Sequence, residues 1–495
     1  MREYDVVIIG AGLGGLECAS ILGRHGLKVA VLEKHFQLGG CLQSFRRSGA
    51  LFDAGFHYVG GLDEGRPLHR LFKYFGLLDL PWVKLDSDCS DEIVLNGKSY
   101  PLAGDHQRFV EQLSKMFPTQ TDNLKKYNEA LSYVGEHIFD ALRPESAAGF
   151  FQNEAFSSSA WEFLERTIAD PVLRNVLSGS SLKLELKKET LPFYVFAQIN
   201  NSFIEGSYRL QGGGETLVNR LVKNVETMGV EVFTKSEVSR LEVAEGRIIA
   251  AHTTDGGVFA ADHFISNIHP AASISLLGED SGVRKAYRNR IMRLENTYGM
   301  FTVNIKLKPN TLPYLNKNIF IYTTDDVWQA NKTAFETNTP VIDSLMVSFP
   351  PSQSGFAEVV DLLTPMPFSL VEKWSGTNVG RRDAEYEKIK EEWSEACICM
   401  AEKQMPGLRL AIDRVYTSTP LTYLNYTGTS QGTAYGIRKD FNNTMLTFLP
   451  PKTPVANYYL TGQNLNLHGI LGTSMSSFIT CSAILGFEKA TEGLL

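Results

Sequence analysis

The sequence is poor in cysteine: six residues in 495, at positions 18, 41, 89, 397, 399 and 481. They are too few and too scattered for a disulfide framework. No C-x-x-C or C-x-x-x-x-C pair occurs, which argues against a dithiol reductase. The close pair Cys397 and Cys399 falls inside a helical pattern, where residues two apart point in different directions, so it reads as ordinary thiols rather than a metal site. Basic charge is also short. Lys and Arg number 48 against 55 Asp and Glu, a formal net charge of -7, so the concentrated cationic surface that nucleic acid requires is missing. No apolar run reaches the roughly 18 residues of a membrane-crossing helix. The apolar C-terminal stretch is interrupted by Asn464, His468 and several serines. The chain opens on a strand pattern without the basic, apolar and small-residue succession of a signal peptide, giving the expectation of a cytoplasmic protein.

What is present is a globular composition long enough for about two or three structural units and an enclosed ligand cavity. Residues 4 to 9, Tyr-Asp-Val-Val-Ile-Ile, form a β-branched run that ends in Gly10-Ala-Gly12-Leu13-Gly14-Gly15. Leu13, Leu16, Ala19 and Leu22 then recur at a spacing of three, Gly26 stops the helix, and Lys28 to Leu32 forms a second apolar strand. Gly10 allows the tight turn, Gly12 lets backbone approach a pyrophosphate, and Gly15 permits close helix–strand packing. The helix N-terminus offers unpaired N–H groups and a positive dipole to the phosphates. Glu33, at the end of the second strand, is placed to accept hydrogen bonds from an adenosine ribose. An acidic residue here suits NAD or FAD equally. Gly39-Gly40 shortly after it, and a second glycine loop at the far end of the chain, favour FAD. No second strand-led G-x-G-x-x-G occurs, so no separate nicotinamide domain is expected.

Residues 50 to 61 read as strand with glycine breaks, and residues 106 to 205 as mostly helical and rich in Phe and Tyr. After Gly212-Gly213-Gly214 a helix, a strand and a hairpin turning at Glu245-Gly246 follow, as if the first layered α/β domain had resumed after an insertion. Residues 297 to 349 read as β-rich, and Asp383 to Gln404 as an amphipathic helix. The expectation is an α/β fold with a Rossmann-type FAD-binding domain built from 1–104, 206–290 and 450–495, and a discontinuous α+β substrate domain from 105–205 and 291–449. Near the C-terminus, Tyr459 to Gly462, Gln463, Asn464, His468 and Gly469 read as strand, polar glycine loop and helix start. Such a helix N-terminus can stabilise the negative charge that a flavin ring gains on reduction.

Together these pieces resemble the FAD-dependent family of phytoene desaturases, carotenoid isomerases and retinol saturases, and more distantly the monoamine-oxidase-like flavoproteins; the resemblance is strongest to the retinol saturase and carotenoid isomerase branch. It rests on Asp5 to Glu33, Leu38 to Gly40, Phe52 to Gly60, Glu205 to Gly213, Thr419 to Gly436, and Thr461 to Asn464. The resemblance implies that Gly10, Gly12 and Gly15 meet the pyrophosphate and Glu33 the ribose, that Gly39 and Gly40 lie beside the cofactor, and that Leu13, Gly14 and Lys34 belong to the same cofactor site. It also implies that Val238 contacts the adenine side, that Gly55 to Tyr58 approach the isoalloxazine, and that Gly462, Gln463 and Asn464, with Gly469 and Ile470, hold the ribityl and ring end. Where the family often has Asp, this chain has Asn464; where it commonly has a basic residue, this chain has Cys41.

The implied activity is an FAD-dependent oxidoreductase acting on C=C bonds of an apolar, carotenoid- or retinoid-type polyene by saturation, desaturation or flavin-assisted isomerisation, with an external electron donor or acceptor. His57, Tyr58, Tyr435 and His468 are the candidate proton donors. Phe56, Phe193, Tyr194, Phe196, Phe203, Phe301 and Phe349 are candidates for an apolar tunnel. Phe150, Phe151 and Phe156 could dip into a leaflet in peripheral membrane contact. Two alternatives share the motifs: an isoprenoid or lipid carrier without redox turnover, and an amine oxidase.

Overall fold

Short apolar strings set the first sheet. Val6 to Ile9 and Val29 to Leu32 are buried throughout, as parallel strands covered on both faces must be. In the computed structural model, which describes residues 2–143 and 154–495, strand Arg2–Ile9 lies at the centre, with Val7 opposite Ala30 on one side and Phe264 on the other. The strand order is Glu231–Phe233, Val29–Leu32, Arg2–Ile9, Val258–Ser266, Arg247–Thr253, Val238–Ala244. Tyr458–Leu460 pairs in parallel with the end of Val258–Ser266, placing Leu460 beside Ser266. Helices Leu13–Arg24, Gly213–Thr227 and Gly469–Leu485 pack together on this layer.

The second sheet has the order Ile412–Ser418, Gly299–Leu307, Val359–Met366, Ser344–Ser348, Asn318–Tyr322, Asp91–Leu95, Lys98–Leu102. The last two strands correct the expected boundary at residue 104. Asp91–Leu95 runs parallel to Asn318–Tyr322, with Ile93 opposite Phe320, so the hairpin is bonded into the second sheet and not the nucleotide sheet. Its Asn96-Gly97 turn, with φ of 47° and 83°, marks a local hairpin in the sequence, but the partner strand lies far along the chain.

Against this sheet stands a helical layer built from residues 106–143 and 154–204. Its centre is helix Phe193–Ile204, buried on almost every side and packed on Thr121–Glu136. Phe156 stacks on Tyr194 at 4.0 Å and meets Phe448 edge-on at 5.2 Å, so it belongs to the core and does not reach toward a leaflet. Phe150 and Phe151 lie outside the described residues. Among the described residues no helix is long and apolar enough to cross a membrane. In helix Ala384–Glu402, capped by Asp383, Cys397 is buried and Cys399 exposed, and no group of metal ligands occurs among the described residues.

Candidate active site

The two sheets meet at a cavity of about 520 Å³ that both ends of the polypeptide help to line. Its first wall is the glycine turn. Gly10 takes φ +94°, and Gly12 caps helix Leu13–Arg24 without any side-chain acceptor, so the first N–H groups of the helix open onto the cavity. A Cβ at Gly15 would stand 2.1 Å from Gly10 O, so that position is closed to every other residue. Gly39 donates its N–H to Ala11 O at 2.9 Å, which brings the Gly39-Gly40 turn against the first turn.

Glu33 ends the second strand at the rim. Its Oε2 accepts from Ala11 N and its Oε1 from His35 N, each at 2.9 Å. Each carboxylate oxygen keeps a further lone pair, enough to receive a ribose hydroxyl. Lys34, Val238 and the neighbouring Glu237 line the same end.

The opposite wall is the C-terminal loop. His468 caps helix Gly469–Leu485, again with no side-chain acceptor at the first turn, and Gly469 takes φ +75°. Gln463, Asn464, His468, Gly469 and Ile470 line the cavity, as do Gly55, His57 and Tyr58 from the other side. Gly12 and Asn464 therefore share one crevice. Two helix N-termini without caps facing one cavity fit a ligand carrying a diphosphate at one point and an electron-rich ring edge at another. Buried His57 Nε2, which has no partner in the protein, adds an orphaned polar atom on the ring side.

Of the expected cofactor residues, Gly15 and Gly462 stand behind the wall instead of on it. A Cβ at Gly462 would meet Asn267 Oδ1 at 2.7 Å, and one at Gly14 would lie 3.2 Å from Gly462 Cα. Asn267, not foreseen from the sequence, fills the junction of the two glycine loops, directing Nδ2 at Gly10 O over 3.4 Å. Asn464 directs its Oδ1 to Ile437 N at 3.0 Å, a backbone role that an amide performs as well as a carboxylate. Burial pushes the Cys41 thiol up to about 11, so it stays neutral.

Away from the two glycine loops the cavity is lined by Leu182, Ile199, Phe203, Met300, Met346 and Leu363, with Lys183 and Ser202 among them. Of the aromatic residues expected there, only Phe56 and Phe203 face it; Phe193, Tyr194, Phe196, Phe301 and Phe349 pack in the cores. Aliphatic and thioether side chains form the wall, a choice that composition alone does not reveal.

The four candidate donors all line this cavity. Tyr58 Oη donates to Asp91 Oδ2 at 3.1 Å, and Tyr435 Oη to Leu182 O at 2.8 Å. Burial raises both phenols above their ordinary range. His468 Nε2 donates to Lys183 O at 2.9 Å; burial holds its imidazole down at about 4. His57 is likewise lowered to about 4, by burial and by Arg209, and burial raises Asp361 to about 7. Although His57 Nδ1 lies 3.9 Å from Asp361 Oδ2, the imidazole is neutral near pH 7 and the pair is not an ion pair. Lys183 and Asp91, absent from the sequence-derived set, complete the polar group: Lys183 Nζ donates to Tyr58 Oη at 3.0 Å, with Asp91 Oδ2 at 3.7 Å.

The chain is similar to known proteins over nearly its whole length. The family described as flavin containing amine oxidoreductase matches residues 13–299. The human all-trans-retinol 13,14-reductase is 25% identical over 98% of this chain and 86% of its own length. The chloroplastic prolycopene isomerase of Daucus carota is 22% identical over 88% of this chain and 72% of its own. Among solved structures, wild-type putrescine oxidase bound to putrescine superimposes with a TM-score of 0.64 at 15% identity, covering 98% of this chain and 99% of that one. That last likeness is one of fold.

Proposed function

The chain belongs to the flavin containing amine oxidoreductase family, and from that premise we propose that this FAD-dependent oxidoreductase acts on a C=C bond of an apolar polyene of carotenoid or retinoid type. When bound, FAD supplies two-electron redox chemistry that no side chain can provide. The protein's own contribution is to bind, orient and exclude water. The uncapped turn at Gly12 receives the diphosphate, Glu33 the ribose, and the helix start at Gly469 the ring edge, while Gly55 to Tyr58 close the other side.

The observation that carries this reading is the wall of the remaining space. Leu182, Ile199, Phe203, Met300, Met346 and Leu363 offer a hydrocarbon chain apolar contact. The acidic side chains lining the cavity, Glu33 and Glu237, belong to the nucleotide end, so no carboxylate lines the apolar end to receive an ammonium among the described residues. The cation found there, Lys183, would repel one. That weighs against the amine oxidase alternative, and the intact Glu33 and C-terminal loop weigh against a carrier.

Anaerobic addition of a polyene to the dithionite-reduced protein tests the proposal. Flavin reoxidation or a change in the polyene spectrum is the expected result. No response across carotenoids, retinoids and polyenoic acids overturns it, and peroxide production from amines establishes the alternative.

A further inference from the structure

The polar groups on the apolar wall differ in whether they hold a proton they can release. Tyr58, Tyr435 and His468 spend their donors on Asp91, Leu182 O and Lys183 O, respectively. His57 and His468 are neutral near pH 7. Lys183 differs from all four. Its Nζ lies 3.5 Å from the Phe203 ring centroid, and its one hydrogen bond is to Tyr58 Oη. At 3.7 Å, Asp91 Oδ2 is an ionic neighbour beyond hydrogen-bond length. An ammonium carries three donors, so N–H groups remain unspent beside the cavity.

We propose that Lys183 is the proton donor for C=C saturation in this cavity, and that Tyr58 and Asp91 form the path that reloads it. The inference rests on the polyene reading. One carbon of the double bond receives a hydrogen and two electrons from the reduced cofactor, which is left oxidised. The other carbon takes the proton of Lys183. The C=C π bond is lost, two C–H bonds form, and Lys183 is left as a neutral amine. A proton taken up at Asp91 then passes to Tyr58 Oη as the phenol's own proton moves to Lys183 Nζ. The heavy-atom separations along this path are 3.1 and 3.0 Å. Behind Asp91 a void of about 20 Å³, lined by Ser90, Ser180 and Asn200, is large enough for one water.

The charge balance suits the role. Burial lowers Lys183 to about 8 while Asp91 holds it up against that penalty, which keeps the ammonium populated and acidic near neutrality. The other groups bearing on this cluster are Tyr58, whose phenol burial raises well above its ordinary range and so keeps neutral, and Arg209, which stands behind Asp91 and donates to Asn318 Oδ1 at 2.8 Å. Asn318 in turn donates to Asp91 Oδ1 at 2.9 Å, fixing the carboxylate.

The test uses the flavin-loaded protein and the variants Lys183→Met, Lys183→Arg and Asp91→Asn. Binding is read first, in the oxidised state, by titrating a polyene and following its absorption band against pH. An adjacent ammonium shifts the band, and the shift is expected to vanish above a midpoint near 8. In Lys183→Met the shift is absent while binding is retained; in Asp91→Asn the midpoint moves down, because the anion that favours the ammonium is gone. Reoxidation of the reduced flavin by the polyene is read second. It is expected to fall by roughly 10²–10⁴-fold in Lys183→Met and equally in Lys183→Arg, whose guanidinium keeps the charge but does not release a proton. The arginine variant keeps the test decisive if the methionine variant fails to fold. Wild-type rates and an unchanged pH profile in Lys183→Arg overturn the donor role while leaving the polyene reading intact. Isomerised polyene with no flavin reoxidation in the wild type also overturns it, since no net proton is then consumed. A wild type unresponsive to every polyene overturns the reading and the donor role together.

Discussion

Ser474 of the C-terminal helix donates a hydrogen bond of 2.6 Å to Glu17 Oε1 of the first helix. Ser477, one turn further along, donates to the other carboxyl oxygen at 3.1 Å. The two helices whose N-termini face the cofactor cavity are thus tied together by one fully buried carboxyl group. Among the described residues no cation offsets it, and burial raises Glu17 to about 8.

A folded-state value above the ordinary 4.5 means that the folded protein holds this proton more tightly than the unfolded chain. The stabilisation is complete below 4.5 and is lost as pH rises through about 8. Within that window the contribution from this group falls by up to about 1.4 kcal/mol per pH unit. Glu17→Gln keeps the shape and carries no charge, so its urea midpoint is expected to fall less with pH than the wild type's.

Lys439 gives the opposite slope. Its buried ammonium donates to Thr447 O at 2.7 Å and to Asn464 O and Leu465 O at 2.8 Å, and burial lowers it to about 7. The unfolded chain therefore binds the extra proton between about 7 and 10.5, and stability from this group rises with pH across that range. Lys439→Met takes this donor from Thr447 O and Asn464 O, while Leu465 O keeps its bond from Leu449 N–H at 3.0 Å. The expected cost is about 2–4 kcal/mol, read by urea denaturation, with less flavin retained per chain because the Asn464 loop loses its anchor.

Gly15→Ala places a methyl group 2.1 Å from Gly10 O. The turn must open, at a cost of about 1–3 kcal/mol as for other overpacked sites. A lower urea midpoint in the flavin-free protein, together with weaker flavin binding, is the expected pair of results.

Glu33→Ala removes the acceptor of Ala11 N and His35 N as well as the proposed ribose contact. Flavin binding, followed by the fluorescence of released flavin, should weaken by at least about tenfold, the equivalent of one lost hydrogen bond to a charged group.

Local pattern carried the nucleotide half of the molecule. The strand from Tyr4 to Ile9, the glycine turn, the helix from Leu13 and the acidic end of the second strand are consecutive, so their geometry follows from φ/ψ preferences and apolar periodicity within one stretch of chain. The C-terminal loop was legible for the same reason: strand, glycine loop and helix start are neighbours in sequence. What the sequence left open were pairings between distant segments. Asp91–Leu95 looks like any hairpin strand until Asn318–Tyr322 is set beside it. Asn267 has no motif, and only its position at the end of Val258–Ser266 carries it under both glycine loops. The aromatic residues are tunnel candidates by residue type, but residue type does not say which side chain meets a cavity, and most of them face the cores.

The sequence by itself determined a glycine turn that opens the first helix and a second glycine loop that opens the last long one, because each of those devices is written in a single run of residues. Only the tertiary structure decided which polar groups share the substrate space. Lys183 becomes distinctive when Tyr58 and Asp91 arrive from another part of the chain, since burial and a neighbouring carboxylate, not residue type, set what a lysine can do.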